Sequence, residues 1–484
     1  MATIEVKRDT RFFGHPLGLA NLFGVEMWER FSFYGMLGIL PLYLYYSVAR
    51  GGLGMPQVTA TSIVGAYGGL VYLSTIVGAW VADRLLGSER TLFYSAVLIM
   101  IGHVSLAVLP GYLGIGVGLS CVAIGSGGLK GNATAVVGTL YDEKDERRDG
   151  GFTLFYMGVN LGAFVGPLLT GLAQSEIGFH VGFGLAAIGM ALGLIQYTFG
   201  RKNLPLRASE VPNRLPASRI PGVTAVVVVV LAAIAALLLT GLVTAANLSD
   251  VVVWVVAAAS VAYFAVMLTS RKITAVERSR VLSFIPMFIA SAAFWALYQQ
   301  QFTVVEIYSD QRLDRNLFGW QMPVSWVLST NPVFIIALAP LFATLWTKLG
   351  ARQPSTPIKF ALATSIMGVA FLLFLPSAGG GPNSAPLLGL IGILLVFTIA
   401  ELLLSPVGLS LSTKLAPDAF RTQMVALNFL SVALGTALSG SLAKYYSVQQ
   451  EFRYFGTVGG VAIAIGVLLA VISPFVRKLM SGVH

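Results

Sequence analysis

Residues 223–239 and 461–472 are apolar on every face. A helix at a water boundary carries a polar face, and one that is hydrophobic all round lies in a membrane or in the core of a large protein. Charge content decides between the two. Charged residues make up 11% of the chain and apolar residues 56%, with a mean hydropathy of +0.80, whereas a soluble domain carries about 25% charged residues. A water-soluble globule is excluded. An outer-membrane barrel would alternate in polarity over segments of about 10 residues, and these runs do not alternate. At about 20 residues per spanning helix, the chain has room for roughly 12 to 15 spans. The expected fold class is an all-α polytopic membrane protein.

Several chemistries are removed by what the chain lacks. Cys121 is the single cysteine, so no internal disulfide or thiolate metal cage forms. His15, His103, His180 and His484 are far apart and have no metal-ligand spacing. A metal-dependent membrane enzyme is not expected, nor is any cofactor. The formal charge of +10 could suggest nucleic acid, but the basic residues punctuate apolar spans instead of forming a stripe.

Reading apolar runs between polar breaks gives a first block of six spans at 17–47, 58–82, 91–109, 112–140, 152–174 and 179–199. A polar linker at 200–221, with five basic residues and four prolines, precedes two uniformly apolar helices at 222–246 and 251–270. Six further spans follow at 281–308, 324–346, 358–375, 387–411, 422–446 and 455–476, which makes 14. The domains are then residues 1–199, a linker at 200–221, two extra helices within 222–270, and a second six-helix bundle at 271–484. Of the 31 lysines and arginines, 24 lie on the side shared by both termini and five on the other (Arg50, Arg312, Arg315, Lys444 and Arg453), while Arg30 and Lys130 sit inside spans. The positive-inside rule therefore places both termini in the cytoplasm. No secretory signal is visible, because the first apolar stretch is long and contains Glu26, Glu29 and Arg30.

The stretch from Gly78 to Gly87 reads G-x-x-x-A-D-R-x-x-G. It resembles the loop motif of the major facilitator superfamily, whose two six-helix halves rock around a midplane site. A charge at the bilayer centre costs about 2.5 to 3.5 kcal/mol on insertion scales, so each intramembrane ionisable group is a functional candidate. Five qualify. Glu26, Glu29 and Arg30 share one face of span one with Phe33, Tyr34 and Leu37. Lys130 lies in a glycine-rich stretch of span four, and Glu401 in span ten, one turn before Ser405 and Pro406. A static salt-bridge cluster would be balanced, yet three carboxylates face two cations. The surplus acid suggests proton coupling. Glu306, near the end of the seventh span of the two bundles, reads as a solvated helix end.

Glu26-Met-Trp-Glu29-Arg30-Phe31-Ser32-Phe33-Tyr34-Gly35 resembles the ExxERFxYYG motif of the proton-dependent oligopeptide transporter (POT/PTR) family. Phe155 to Gly162 is similar to its FYxxINxG motif, and Glu401 to Ser410 to its ExxxSPxGLS pattern. The resemblance runs from about residue 14 to the last span and implies the extra central pair of bacterial members. It implies that Glu26, Glu29 and Arg30 couple protons. By the same resemblance Lys130 takes the peptide carboxylate, Glu401 takes the amino terminus, and the two pair as the cytoplasmic gate closes. Tyr34, Tyr72, Asn160, Asn331 and Ser405 match substrate-pocket positions. Three positions depart from the family pattern: Leu37 stands where a second arginine is usual, Gln299 where span seven has a glutamate, and Asn428 where span eleven has a tryptophan.

The expected function is proton-coupled symport of di- or tripeptides by alternating access in the bacterial inner membrane, by a monomer surrounded by lipid. The alternatives are a carrier of another small zwitterion, a peptide-like natural product or an anion and, in another class, an ion channel or a membrane sensor.

Overall fold

The computed structural model describes residues 9–142 and 145–482. The expected cytoplasmic placement of the two ends falls partly on Lys7, Arg8, Lys144 and His484, which lie outside the described residues. In chain order the helices are α1 (Leu17–Leu37), α2 (Leu40–Tyr45), α3 (Gln57–Val81), α4 (Ser88–Val108), α5 (Gly111–Thr139), α6 (Arg148–Glu176), α7 (Phe179–Gly200), α8 (Ile220–Leu239), α9 (Leu248–Thr269), α10 (Ala275–Tyr298), α11 (Val304–Gln311), α12 (Thr330–Leu349), α13 (Thr356–Leu372), α14 (Leu387–Lys414), α15 (Arg421–Ala443) and α16 (Glu451–Leu479). Among the described residues, 13 helical stretches are long and apolar enough to cross a membrane. The helix α1, with its three charged residues, makes the fourteenth, so the span count read from the sequence stands.

Two expected spans are interrupted. The run at 17–47 breaks after Leu37 and restarts at Leu40, because Pro41 has no N–H to donate and its ring crowds the carbonyl one turn back. The run at 281–308 breaks at the tight turn Gln299–Phe302, beyond which Thr303 takes φ −133° and ψ −89° before α11 begins. No proline or glycine marks that second break.

The chain divides into two compact units. The first comprises Met1–Leu37 and Ser74–Ala236. Here α1 packs along α6 and α7, and α4 along α5. Small residues make the α1–α6 approach possible: a Cβ on Gly162 would lie 3.0 Å from the Arg30 Cβ and 2.9 Å from the Phe31 nitrogen. In lipid, close van der Waals packing of this kind replaces the hydrophobic drive. At the start of α1, Asp9 accepts the Leu17 N–H at 3.0 Å and the Arg11 guanidinium at 2.9 Å. The Arg11 contact, helped by the Leu17 amide, holds the Asp9 carboxyl well below the usual carboxylate range.

The second unit comprises Gly38–Leu73 and Leu237–His484. Its centre is the packing of α13 on α16 and of α10 on α15. Thr274 and Glu277 form a capping box that starts α10. The helix α9 is anchored here by Ser249, whose hydroxyl lies 3.2 Å from that of Ser62, and by an ion pair between Asp250 and Lys444. No residue of α8 is buried, which fits a helix that faces lipid.

Candidate functional site

Six of the expected functional positions lie in the first unit. Glu26, Glu29 and Arg30 are 2%, 0% and 8% exposed, so the three charges on one face of α1 are turned inward. The Arg30 guanidinium spans both acids. It donates to Glu26 Oε1 from Nε at 2.9 Å and from NH2 at 2.5 Å, and its NH1 lies 3.3 Å from Glu29 Oε2. Ser126 of α5 donates to Glu29 Oε1 at 3.0 Å. Its neighbouring glycines let α3 come close: a Cβ on Gly78 would lie 3.0 Å from the Gly127 carbonyl oxygen. One turn beyond Ser126, the Lys130 ammonium sits over the Phe33 ring at 4.4 Å from its centroid, a favourable cation–π geometry. Planar guanidinium geometry is what allows one cation to serve two carboxylates. Asn160 is buried on α6, where its amide donates to the Tyr156 carbonyl at 2.9 Å, and Tyr34 is half-buried on α1.

The Gly78–Gly87 motif docks the linker. The helix α3 ends in a widened turn at Ala82–Leu86. Asp83 accepts the Asn213 side-chain amide at 2.8 Å, and the Asp83 and Arg84 carbonyls accept the backbone N–H groups of Asn213 and Leu215 at 3.0 and 2.9 Å. Gly87 has φ +82°, and a Cβ there would meet the Ser209 carbonyl oxygen at 2.6 Å, so both its conformation and its surroundings require glycine. Two residues on, buried Glu89 receives the Arg201 guanidinium at 2.6 and 3.1 Å. The 200–221 segment is therefore folded onto the unit by specific bonds, which its proline and arginine content did not reveal.

In the second unit Glu401 and Asn331 come together. Glu401 Oε2 accepts the Tyr298 hydroxyl at 2.9 Å and the Asn331 amide at 3.0 Å, and that amide also donates to the Thr398 hydroxyl at 3.0 Å. Glu401, Asn331 and Tyr298 are each 8% exposed. Sequence reading missed Tyr298; the signal was present, since it precedes the departing residue Gln299 in the same segment. Ser405 is half-buried one turn beyond Glu401, and Tyr72 is half-buried on α3. Gln299 is 7% exposed in the turn that ends α10, and the Asn428 amide oxygen lies beside Gly408 of α14.

In the second unit two buried acids were not anticipated. Glu306 is 2% exposed, so it is not a solvated helix end: the turn at Gln299–Phe302 redirects α11 and carries this side chain inward. Glu451, fully buried, lies 3.1 Å from the Nε of Arg312, which is 1% exposed. That pair also ties down the 377–381 loop, because Arg312 donates to the Ser377 and Gly381 carbonyls and Glu451 accepts the Gly379 N–H at 2.9 Å. Among the described residues no cluster of three or more potential metal ligands occurs.

The family model described as PTR2, POT family, matches residues 89–459. The chain belongs to the POT family. It is 42% identical to the uncharacterized transporter YclF of Bacillus subtilis (strain 168) over 98% of this chain and 96% of that one. It is 39% identical to a di-/tripeptide transporter of Lactococcus lactis subsp. cremoris, covering 99% of each chain. The crystal structure of a peptide transporter POT in complex with sulfate superposes with a TM-score of 0.94 at 44% identity, over 98% of both chains. The architecture is the major facilitator fold with two added helices, and the protein is a multi-pass membrane transporter. The resemblance first drawn from Glu26–Gly35, Phe155–Gly162 and Glu401–Ser410 thus holds along nearly the whole chain.

Proposed function

We propose that this chain is a proton-coupled symporter that imports di- or tripeptides by alternating access. The observation that carries the reading is the buried Glu26–Arg30–Glu29 cluster, in which one guanidinium serves two carboxylates in a helix that must sit in lipid. The name borne by the Lactococcus lactis relative supplies the substrate class. In this reading Glu26, Glu29 and Arg30 handle the proton. Lys130 receives the peptide carboxylate and Glu401 its amino terminus, with Tyr34, Tyr72, Asn160, Asn331 and Ser405 lining the substrate. Lys130 and Glu401 also pair in the closed cytoplasmic gate. The Tyr298 and Asn331 donors suit Glu401 to its part, since they fix one oxygen and leave the other for an ammonium group.

The same reading places the protein in the bacterial inner membrane as a monomer, with cytoplasmic termini, bundles at 1–199 and 271–484, and the helices of 222–270 against lipid. Proteoliposomes test the function directly. Labelled dialanine is expected to accumulate under an inward proton gradient, and uptake that merely equilibrates would refute symport. Conduction at channel rates or binding without accumulation would select the other classes.

A further inference from the structure

Glu306 stands apart from every other buried acid in the second unit. It is 2% exposed, and neither of its carboxylate oxygens has a hydrogen-bond partner among the described residues. The groups around it offer no cation to pair with. On its own helix, one turn further on, Asp310 accepts the Tyr46 hydroxyl at 2.6 Å and the Tyr45 hydroxyl on its other oxygen, and the Arg315 guanidinium lies 3.8 Å from it. From α2 and its end come Tyr43, Tyr45 and Tyr46, with Arg50 stacked on the Tyr46 ring. The preceding turn brings Gln300 and Thr303, whose Nε2 and Oγ1 are likewise buried and without partners. From α16 come Tyr454, which donates to Gln300, and Glu451, which is held by Arg312. The turn Val324–Ser329 brings no ionisable group. Gln57 of α3 reaches Gln311 but carries no charge.

We infer that Glu306 is a proton-binding site of this transporter and carries one of the coupled protons. The inference rests on the proton-coupled reading above and assigns it a residue that no resemblance supplied. A carboxyl group without donors or a cation is accommodated in apolar surroundings as the neutral acid. The Tyr45 and Tyr46 hydroxyls bind Asp310, one turn further along the same helix. When those bonds part, water reaches Glu306 and a proton from it forms the O–H bond of the neutral acid; on the other half of the cycle that bond breaks and the proton passes to water of the opposite solution. Gln299, where the family pattern has an acid, cannot titrate, and Glu306 lies seven residues along the same stretch of chain.

Glu306→Gln tests this, because glutamine keeps the shape of the neutral acid. Purified wild type and variant are reconstituted with a pH dye in the lumen, and peptide counterflow, steady-state accumulation and protons moved per peptide are measured. At a gradient of one pH unit each coupled proton is worth about tenfold in accumulation. The variant is expected to keep counterflow, to accumulate about tenfold less, and to move one proton fewer per peptide, while Glu306→Asp keeps the wild-type count. Wild-type stoichiometry in Glu306→Gln overturns the inference. So does a variant that fails to fold, since a site that holds the neutral acid must tolerate glutamine. If the wild type itself moves no protons with peptide, the symport reading fails instead.

Discussion

Replacing Glu29 by glutamine separates the structural work of the α1 cluster from its coupling work. Glu29 makes two contacts, a 3.0 Å hydrogen bond from Ser126 and a 3.3 Å approach of Arg30. Removing one partner of a buried ion pair ordinarily costs about 3 to 5 kcal/mol, because the other charge is stranded. Arg30 is not stranded here, since it keeps both bonds to Glu26 at 2.9 and 2.5 Å. The glutamine amide oxygen can still accept from Ser126. The expected loss of stability is therefore that of one weakened hydrogen bond, about 0.5 to 1.5 kcal/mol. The functional loss is larger. A driving force of 100 mV is worth about 2.3 kcal/mol per charge, or nearly fifty-fold in accumulation, and a variant that cannot carry the proton forfeits it. Proteoliposomes of Glu29→Gln should exchange labelled for unlabelled dialanine by counterflow yet fail to concentrate it against a gradient. Wild-type accumulation by the variant would refute the assignment of Glu29 to coupling. A variant that unfolds would refute the claim that Glu26 alone suffices to hold Arg30.

Arg312→Ala strands the buried Glu451 carboxylate, so thermal unfolding in detergent should show a loss of about 3 to 5 kcal/mol. Arg312→Lys should recover part of it. Because Leu37 offers no guanidinium to a peptide carboxylate, and a charge-assisted hydrogen bond contributes about 1.5 to 3 kcal/mol, competition assays should find dialanine weakly bound and its amide comparatively well tolerated; low-micromolar dialanine with rejection of the amide would contradict this. For topology, Ser218→Cys in a Cys121→Ser background places a thiol at an exposed linker position. An impermeant maleimide should label it in inverted vesicles but not in intact cells.

How much of this was legible in the sequence depended on whether burial could be read from a pattern. Span number and the α1 face were legible, because a charge in an apolar run and the helical spacing of Glu26, Glu29 and Arg30 are properties of consecutive residues. The glycines of α5 announced a close helix approach, and Gly78 meets Gly127 as that pattern implied. The docking of Asn213 and Arg201 onto the Gly78–Glu89 stretch was not legible, since it pairs residues more than 100 positions apart, Asn213 through a backbone carbonyl that every sequence possesses and Arg201 through the Glu89 carboxylate. Tyr298, the donor to Glu401, was hidden for a similar reason: a tyrosine in a bundle carries no mark of the carboxylate it will meet.

The misplacement of Glu306 shows where such reading fails and why. Counting along a continuous helix put Glu306 near a water-facing end, and a charged residue at a helix end is ordinarily solvated. The count assumed that α10 ran straight through residues 299–303. Instead Gln299–Phe302 tightens into a short turn, and Thr303 leaves helical geometry altogether. Three consecutive glutamines stand at the break with neither proline nor glycine, and the Tyr454 hydroxyl donates to Gln300 Oε1 at 2.7 Å. Once the axis is reset, the next turn points inward, and a residue that would have met water is enclosed by α2 and the neighbouring turns. The segment that departs from the family pattern at Gln299 is thus also the segment in which the helix breaks and Glu306 is turned inward.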